Sequence, residues 1–253
     1  MKDLSQLDDL YHLISLDSVG STNEEAVRLA SEGAPTGTLV WAKSQFKGKG
    51  RRGREWISPS GNLYLSLLLR PKLLLTQASQ LSFVAAIAVF DTLCFMLPQT
   101  AKINMKWPND ILVDGKKIAG ILLESSACGD TLDWLVVGVG VNVATSPDKV
   151  SFPTTSLHES GNPHTSAEGV LEQFTVNFKR VMEEWSKEGF SPVRKRWLKF
   201  AWCLGEKIEV KTEQELFQGS FTGLDETGAM ILEISEGEKL TLTAADVILG
   251  FPA

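Results

Sequence analysis

The chain has 253 residues, 43% of them hydrophobic and 22% charged, enough for one large buried core with a small second domain. Its formal net charge is −6, and without the five cations of residues 47–54 it would be −11, so a local positive feature sits on an acidic background, which argues against a general nucleic-acid binder. Cys94, Cys128 and Cys203 are odd in number and scattered among apolar neighbours, which suggests neither a disulfide framework nor a zinc site and predicts reduced core thiols.

The N-terminus has no apolar leader, and the apolar stretches read as too short or interrupted to span a bilayer, so a cytoplasmic protein without a membrane partner is expected. Residues 3–11 have helical apolar spacing, and His12 to Val19 alternates as a strand does. In Gly20-Ser21-Thr22-Asn23-Glu24-Glu25, Thr22 and Glu25 fit a capping box that opens a helix to about Glu32. Three small polar side chains at a helix N-terminus can serve as that cap, or hydrogen-bond a neutral ligand group.

A strand over 38–45 delivers Gln45 to Gln45-Phe46-Lys47-Gly48-Lys49-Gly50-Arg51-Arg52-Gly53-Arg54-Glu55-Trp56. Glycines interleaved with the cations argue against a stable helix or strand and let the backbone approach a ligand. Guanidinium forks and glycine N–H groups suit phosphate. The segment is not a Walker A loop, and Gly48, Gly50 and Gly53 match a dinucleotide fingerprint only by count, because Ser58-Pro59-Ser60-Gly61 follows instead of a helix. On these residues alone, a mobile anion-binding loop and a solvated basic or nucleic-acid patch both stay open.

Asn62 to Arg70 reads as a strand, Thr76 to Leu97 as a long buried helix stopped by Pro98, and Ile103 to Lys106 as a strand ending at Trp107-Pro108-Asn109-Asp110. Ile111–Val113 and Lys117–Ser125 flank Asp114-Gly115, a type I′ hairpin signal. Trp134 to Val143 is a buried strand in which Gly138 and Gly140 imply close approach of another group, and polar Asn142 needs partners. A polar loop over 144–165 precedes helices over Ser166–Lys187 and Ser191–Cys203. Short strands at 207–211, 217–224, 229–234 and 239–242 then predict a minibarrel.

Five stretches in this order resemble the biotin–protein ligases: Ser21-Thr22-Asn23; Gly48-Lys49-Gly50-Arg51-Arg52-Gly53-Arg54 with Trp56; Lys106-Trp107-Pro108-Asn109-Asp110; Lys117-Ile118-Ala119-Gly120-Ile121-Leu122-Leu123-Glu124; and Gly138-Val139-Gly140-Val141-Asn142. The resemblance implies an α+β fold of the class II aminoacyl-tRNA synthetase/biotin ligase kind. A mixed sheet backed by helices would occupy residues 1–205 and an SH3-like β-barrel 206–253. It implies that biotin reacts with ATP to give biotinyl-5′-AMP and is then transferred to a lysine of the biotin carboxyl carrier protein of acetyl-CoA carboxylase, with Mg²⁺ accompanying ATP.

By the same resemblance, Lys117, Arg51 and Lys49 are catalytic, and Ser21, Thr22, Asn23, Gln45, Lys49, Gly50, Arg51, Lys117 and Gly120 bind biotin. Arg51, Arg54, Trp56, Asn109, Lys117 and Asn142 bind the adenylate. Asp110 orients Mg²⁺ or the incoming amine, or caps its turn. Lys49 stands where the family usually has arginine, keeping charge but losing the bidentate fork. With Ser-Thr-Asn at residue 21, no room is left for a winged helix-turn-helix, so a monofunctional enzyme without a DNA partner is expected; a homodimer is an allowed assembly. Lipoate–protein ligases, which share the fold and adenylation logic, are the nearest alternative. A nucleic-acid binder using the basic loop is the alternative from another class.

Overall fold

A computed structural model describes residues 7–148, 150, 152–235 and 237–250. Strands β1 (His12–Leu16), β2 (Thr38–Ala42), β3 (Leu63–Leu69), β4 (Ile103–Lys106), β5 (Asp110–Val113), β6 (Lys116–Cys128) and β7 (Thr131–Val141) form one sheet in the order β1-β2-β3-β7-β6-β5-β4. β1 and β2 run parallel and all other neighbours antiparallel, so the sheet is mixed as expected. Asp114 and Gly115 connect β5 to β6 with φ of 49° and 75°, the positive pair that a type I′ turn requires.

Period-two alternation gives the sheet two different faces. Leu63, Leu65 and Leu67 of β3, Val137, Val139 and Val141 of β7, and Met105 and Trp107 at the end of β4 point into the main core. Helices α2 (Gln80–Met96), α3 (Ala167–Glu188) and α4 (Phe190–Lys199) cover that face, with Phe83 edge-on to Phe190 and Trp197 at ring separations of 5.3 and 5.4 Å. On the other face Val40, Leu68 and Val136 pack against Ala26 and Ala30 of α1 (Thr22–Ser31). Beyond α1, that face presents Gly138, Gly140 and Gly120 to a cavity.

The remaining strands, β8 (Lys207–Lys211), β9 (Leu216–Leu224), β10 (Met230–Ser235), β11 (Glu238–Leu242) and β12 (Asp246–Gly250), make a small SH3-like antiparallel sheet ordered β11-β10-β9-β8-β12. Val210, Phe221 and Leu232 belong to the same apolar core as the large sheet. The β9–β10 turn docks against the end of β4, where the Trp107 indole donates to the Gly228 carbonyl at 3.0 Å.

Several sequence expectations are corrected. The helix over 3–11 falls partly outside the described residues, and its described part, 7–11, is bend, turn and irregular backbone. The Thr22–Glu25 capping box does not form, because Ser21 is the N-cap and caps with no side-chain bond, leaving Thr22 in the first turn. β12 was not anticipated. Cys94 and Cys128 are free but exposed, not core thiols. The segment Leu75–Met96 is long and apolar enough to cross a bilayer, with a mean hydropathy of 1.6, although 61% of its most apolar window is buried within the molecule.

Candidate active site

At the inner end of the cavity, the start of α1 meets β3 and β7. Ser21, Thr22 and Asn23 are all at most 4% exposed. The first-turn N–H of Thr22, one of the donors that a helix leaves unpaired, reaches Gln45 Oε1 at 2.7 Å. Gln45 in turn donates to Ser58 Oγ at 2.9 Å. Ser66 Oγ lies 2.8 Å from Thr22 Oγ1 and 2.5 Å from Asn23 Oδ1, and the Asn23 amide donates to Glu124 Oε2 at 2.8 Å. The Thr22, Asn23, Gln45 and Ser66 side chains are therefore held in one hydrogen-bonded network.

The floor must be glycine. A Cβ at position 138 would lie 2.0 Å from Asn23 Oδ1, and one at 140 would lie 2.6 Å from the Trp56 ring. Gly120 and Gly140 are paired across β6 and β7, so the Trp56 indole rests on a patch of bare backbone.

Midway along the cavity, Lys117 is fixed by its own backbone, which donates to the Pro153 carbonyl at 2.7 Å and accepts from Thr155 N at 3.0 Å. Its ammonium is 2.6 Å from Asp110 Oδ1 and 5.1 Å from the Trp56 ring centroid. The ion pair is not aligned as a hydrogen bond, and Asp110 Oδ1 has no hydrogen-bond partner among the described residues. Asn109 accepts from Arg51 Nη1 at 3.3 Å and donates to the Ile121 carbonyl at 2.6 Å. Asn142 donates to the Thr155 carbonyl at 3.0 Å.

The basic segment is more ordered than its glycines suggested. Gly50 N donates to the Arg54 carbonyl at 2.7 Å and Trp56 N to the Gly48 carbonyl at 2.9 Å, closing a small hairpin around a 3₁₀ turn at Arg51–Gly53. Lys49 pairs with Glu24 at 2.8 Å, which holds its ammonium above the ordinary lysine value. Arg54 and Arg52 reach Asp246 of β12 at 2.8 and 3.4 Å. Arg51 turns inward, and burial holds its guanidinium below the ordinary arginine value.

Ser21, Thr22, Asn23, Gln45, Lys49, Gly50, Arg51, Arg54, Trp56, Asn109, Asp110, Lys117, Gly120 and Asn142 thus line one cavity of about 510 Å³. Sequence reasoning did not assign Ser66, Ser58 or Glu124, which orient the inner donors, nor Lys106 and Asp246 in the outer wall. A serine between Leu65 and Leu67 of an apolar strand was the available signal for Ser66.

Neutral donors held in a network, a lysine fixed on a strand and an arginine-bearing hairpin share one cavity, an arrangement that suits an ATP-dependent ligase. Residues 16–142 match the biotin/lipoate A/B protein ligase family and residues 203–250 the biotin protein ligase C-terminal domain. The chain belongs to the biotin protein ligase family. It is 40% identical to the biotin–[acetyl-CoA-carboxylase] ligase of Paracoccus denitrificans over 91% of this chain and 97% of that protein. It is 36% identical to the bifunctional ligase/repressor BirA of Bacillus subtilis over 94% of this chain and 74% of that one. Among solved structures, the Aquifex aeolicus biotin protein ligase in complex with biotin and ATP superposes with a TM-score of 0.78, 29% identity and coverage of 93% of this chain and 98% of that one.

Proposed function

We infer that this protein activates biotin with ATP and transfers it to a lysine of a carrier protein, the biotin carboxyl carrier protein of acetyl-CoA carboxylase. The observation that carries the reading is the set of groups that one cavity brings together: neutral donors at the start of α1, Trp56 seated on the glycines of β6 and β7, Lys117 fixed on its strand, and the cationic hairpin. The neutral head of biotin takes the Ser21, Thr22, Asn23 and Gln45 end, and its carboxylate is directed to Lys117. One carboxylate oxygen bonds to the α-phosphorus while the bond from phosphorus to the bridging oxygen of the β-phosphate breaks, its electron pair leaving on pyrophosphate. The carrier amine then attacks the acyl carbon, AMP departs with the acyl C–O pair, and the amine proton is lost.

Two anions about 4 Å apart repel by about 4 kcal/mol at an effective dielectric of about 20, so adjacent cations decide whether the first step occurs. Lys117, Arg51 and Lys49 supply them, Lys117 from a rigid strand and the others from the hairpin. Trp56 covers the adenine, and Asn109 and Asn142, each with a second side-chain N–H beyond the backbone bond it makes, read its edges. Gly50 lets the hairpin backbone approach biotin, and Arg54 meets the phosphates. Among the described residues no three His, Cys, Asp or Glu side chains cluster. The donor set therefore fits Mg²⁺ carried in on ATP, with Asp110 beside it, better than a resident ion.

Residues 1–205 are the catalytic unit, and 206–253 contribute Asp246 to the cavity wall. A homodimer would leave the site complete, since one chain lines it. A cytoplasmic location follows from the substrates. The relatives are named for biotin, which disfavours lipoate, and pairing of the loop cations with Glu24 and Asp246 disfavours a nucleic-acid surface.

The test is biotin-dependent ATP–pyrophosphate exchange run beside lipoate. Exchange with biotin alone is expected, falling by roughly 100-fold in Arg51→Ala and in Lys117→Ala. Exchange with lipoate instead would overturn the substrate, and exchange with neither would overturn the reaction.

A further inference from the structure

Lys106 is 8% exposed, yet it lines the same cavity as Lys117. Strand alternation puts it there: Met105 and Trp107 enter the core, so the residue between them must face the other way. Its ammonium lies 3.8 Å from the Phe152 ring centroid and 5.4 Å from that of Trp202. It takes part in none of the ion pairs found among the described residues. An ammonium taken out of water without a carboxylate is costly, and aromatic faces offset only part of that cost. A purely structural residue at this position would be apolar.

The sheet gives Lys106 a definite place in the sequence of groups. Asn23 stands over Gly138 of β7, Lys117 and Asp110 over β6 and β5, and Lys106 on β4, the edge strand beyond them. A ligand whose head lies at Asn23 and whose reacting carboxylate lies at Lys117 therefore directs its departing group toward Lys106.

We propose that Lys106 is the cation that receives the pyrophosphate leaving group. The proposal rests on the adenylation reading above, for it is the breaking bond to the β-phosphate bridging oxygen that places new charge within reach of Lys106. Arg54, which lines the same cavity, is the second cation on that side. The aromatic faces engage the ammonium itself and offer no competing anion, so an incoming phosphate meets a cation that is not paired with a carboxylate. Lys106 is thus distinct from Lys117, whose ammonium is already shared with Asp110.

The experiment compares wild type, Lys106→Met and Lys106→Arg by calorimetric titration with inorganic pyrophosphate, by biotin-dependent ATP–pyrophosphate exchange and by thermal melting. Methionine keeps the stem volume and removes the charge. The expected result is an apparent KM for pyrophosphate raised about tenfold or more in Lys106→Met, a KM for biotin changed by less than about twofold, a melting temperature unchanged or higher, and recovery of most pyrophosphate affinity in Lys106→Arg. An unchanged pyrophosphate KM, an equal rise in the biotin KM, or a lowered melting temperature accompanying the loss would each overturn it. Wild-type exchange with biotin but no effect of Lys106→Met refutes this proposal alone. Pyrophosphate binding through Lys106 without any biotin-dependent exchange refutes the adenylation reading and leaves the anion site standing.

Discussion

The two ends of the cavity are built on opposite principles. At the inner end every polar side chain is neutral or tied to a fixed partner, and Thr22, Asn23 and Ser66 are buried in one hydrogen-bonded network. At the outer end the groups are charged, Lys106 has no counterion among the described residues, and Arg52 and Arg54 are borne on a hairpin and held by exposed pairs. Under the proposed function the difference is between recognition and chemistry: a neutral head group is selected by preformed donors whose mispairing is costly, whereas transferred charge is stabilised by cations aimed at it.

The strongest way to break that contrast is Gly138→Ala. The new methyl would lie 2.0 Å from Asn23 Oδ1, a contact that no side-chain rotation of alanine can relieve. Overpacking of this kind costs about 1–3 kcal/mol of stability, less than most folds hold in reserve. Biotin-dependent exchange should fall by about 100-fold or more, because the displaced Asn23 disturbs Ser66 and Glu124 with it. Pyrophosphate binding, measured separately by calorimetry, should survive. Loss of both in a folded variant would show that the two ends are one unit.

A smaller effect sharpens the outer end. Burial pushes the Lys106 ammonium down from 10.5 to about 8, with Asp110 and Asp246 opposing and Lys117 and Arg54 reinforcing the change. Between those two values the unfolded chain binds the proton more readily than the folded one, so stability rises with pH across that window and carries the full penalty below it. Lys106→Met should therefore gain roughly 2–4 kcal/mol at pH 7 relative to pH 11, judged against wild type in denaturant melts at both pH values. Equal melting differences at the two pH values would mean that the ammonium is not paying a burial penalty.

Much of this was legible from residue order, but unevenly. Glycines 138 and 140 announced close approach because a strand interior rarely has another use for them, and Asn23 and Trp56 are what approach. The motif residues converged because strands β5, β6 and β7 are sequential neighbours, so local pairing brings them together. Lys106 was passed over because its burial depends on Phe152 and Trp202, which reach it from distant segments. Asp246 was missed with its strand, since β12 is short and pairs with β8 across the whole C-terminal module. The hairpin was read as irregular because glycine content argues against regular structure, while the bonds that close it join Gly48 to Trp56 and Gly50 to Arg54.

Asp246→Asn should give the smallest change and discriminate most finely. Its carboxylate is 31% exposed and pairs with both Arg52 and Arg54, and surface pairs of this kind contribute about 0–1 kcal/mol, so stability should shift by less than about 1 kcal/mol. The carboxylate also lines the cavity, where under the proposed function it would compete with phosphate for Arg54 and repel an incoming polyanion. Removing its charge should lower the KM for ATP by about two- to fivefold at low salt, with the gain fading as ionic strength rises and screening shortens the reach of both interactions. The KM for biotin should not move, because none of the inner donors bonds to β12 among the described residues. Parallel shifts in the two constants would mean that the hairpin positions the head group as well as the phosphates, and the division between a fixed recognition end and an adjustable charged end would have to be abandoned.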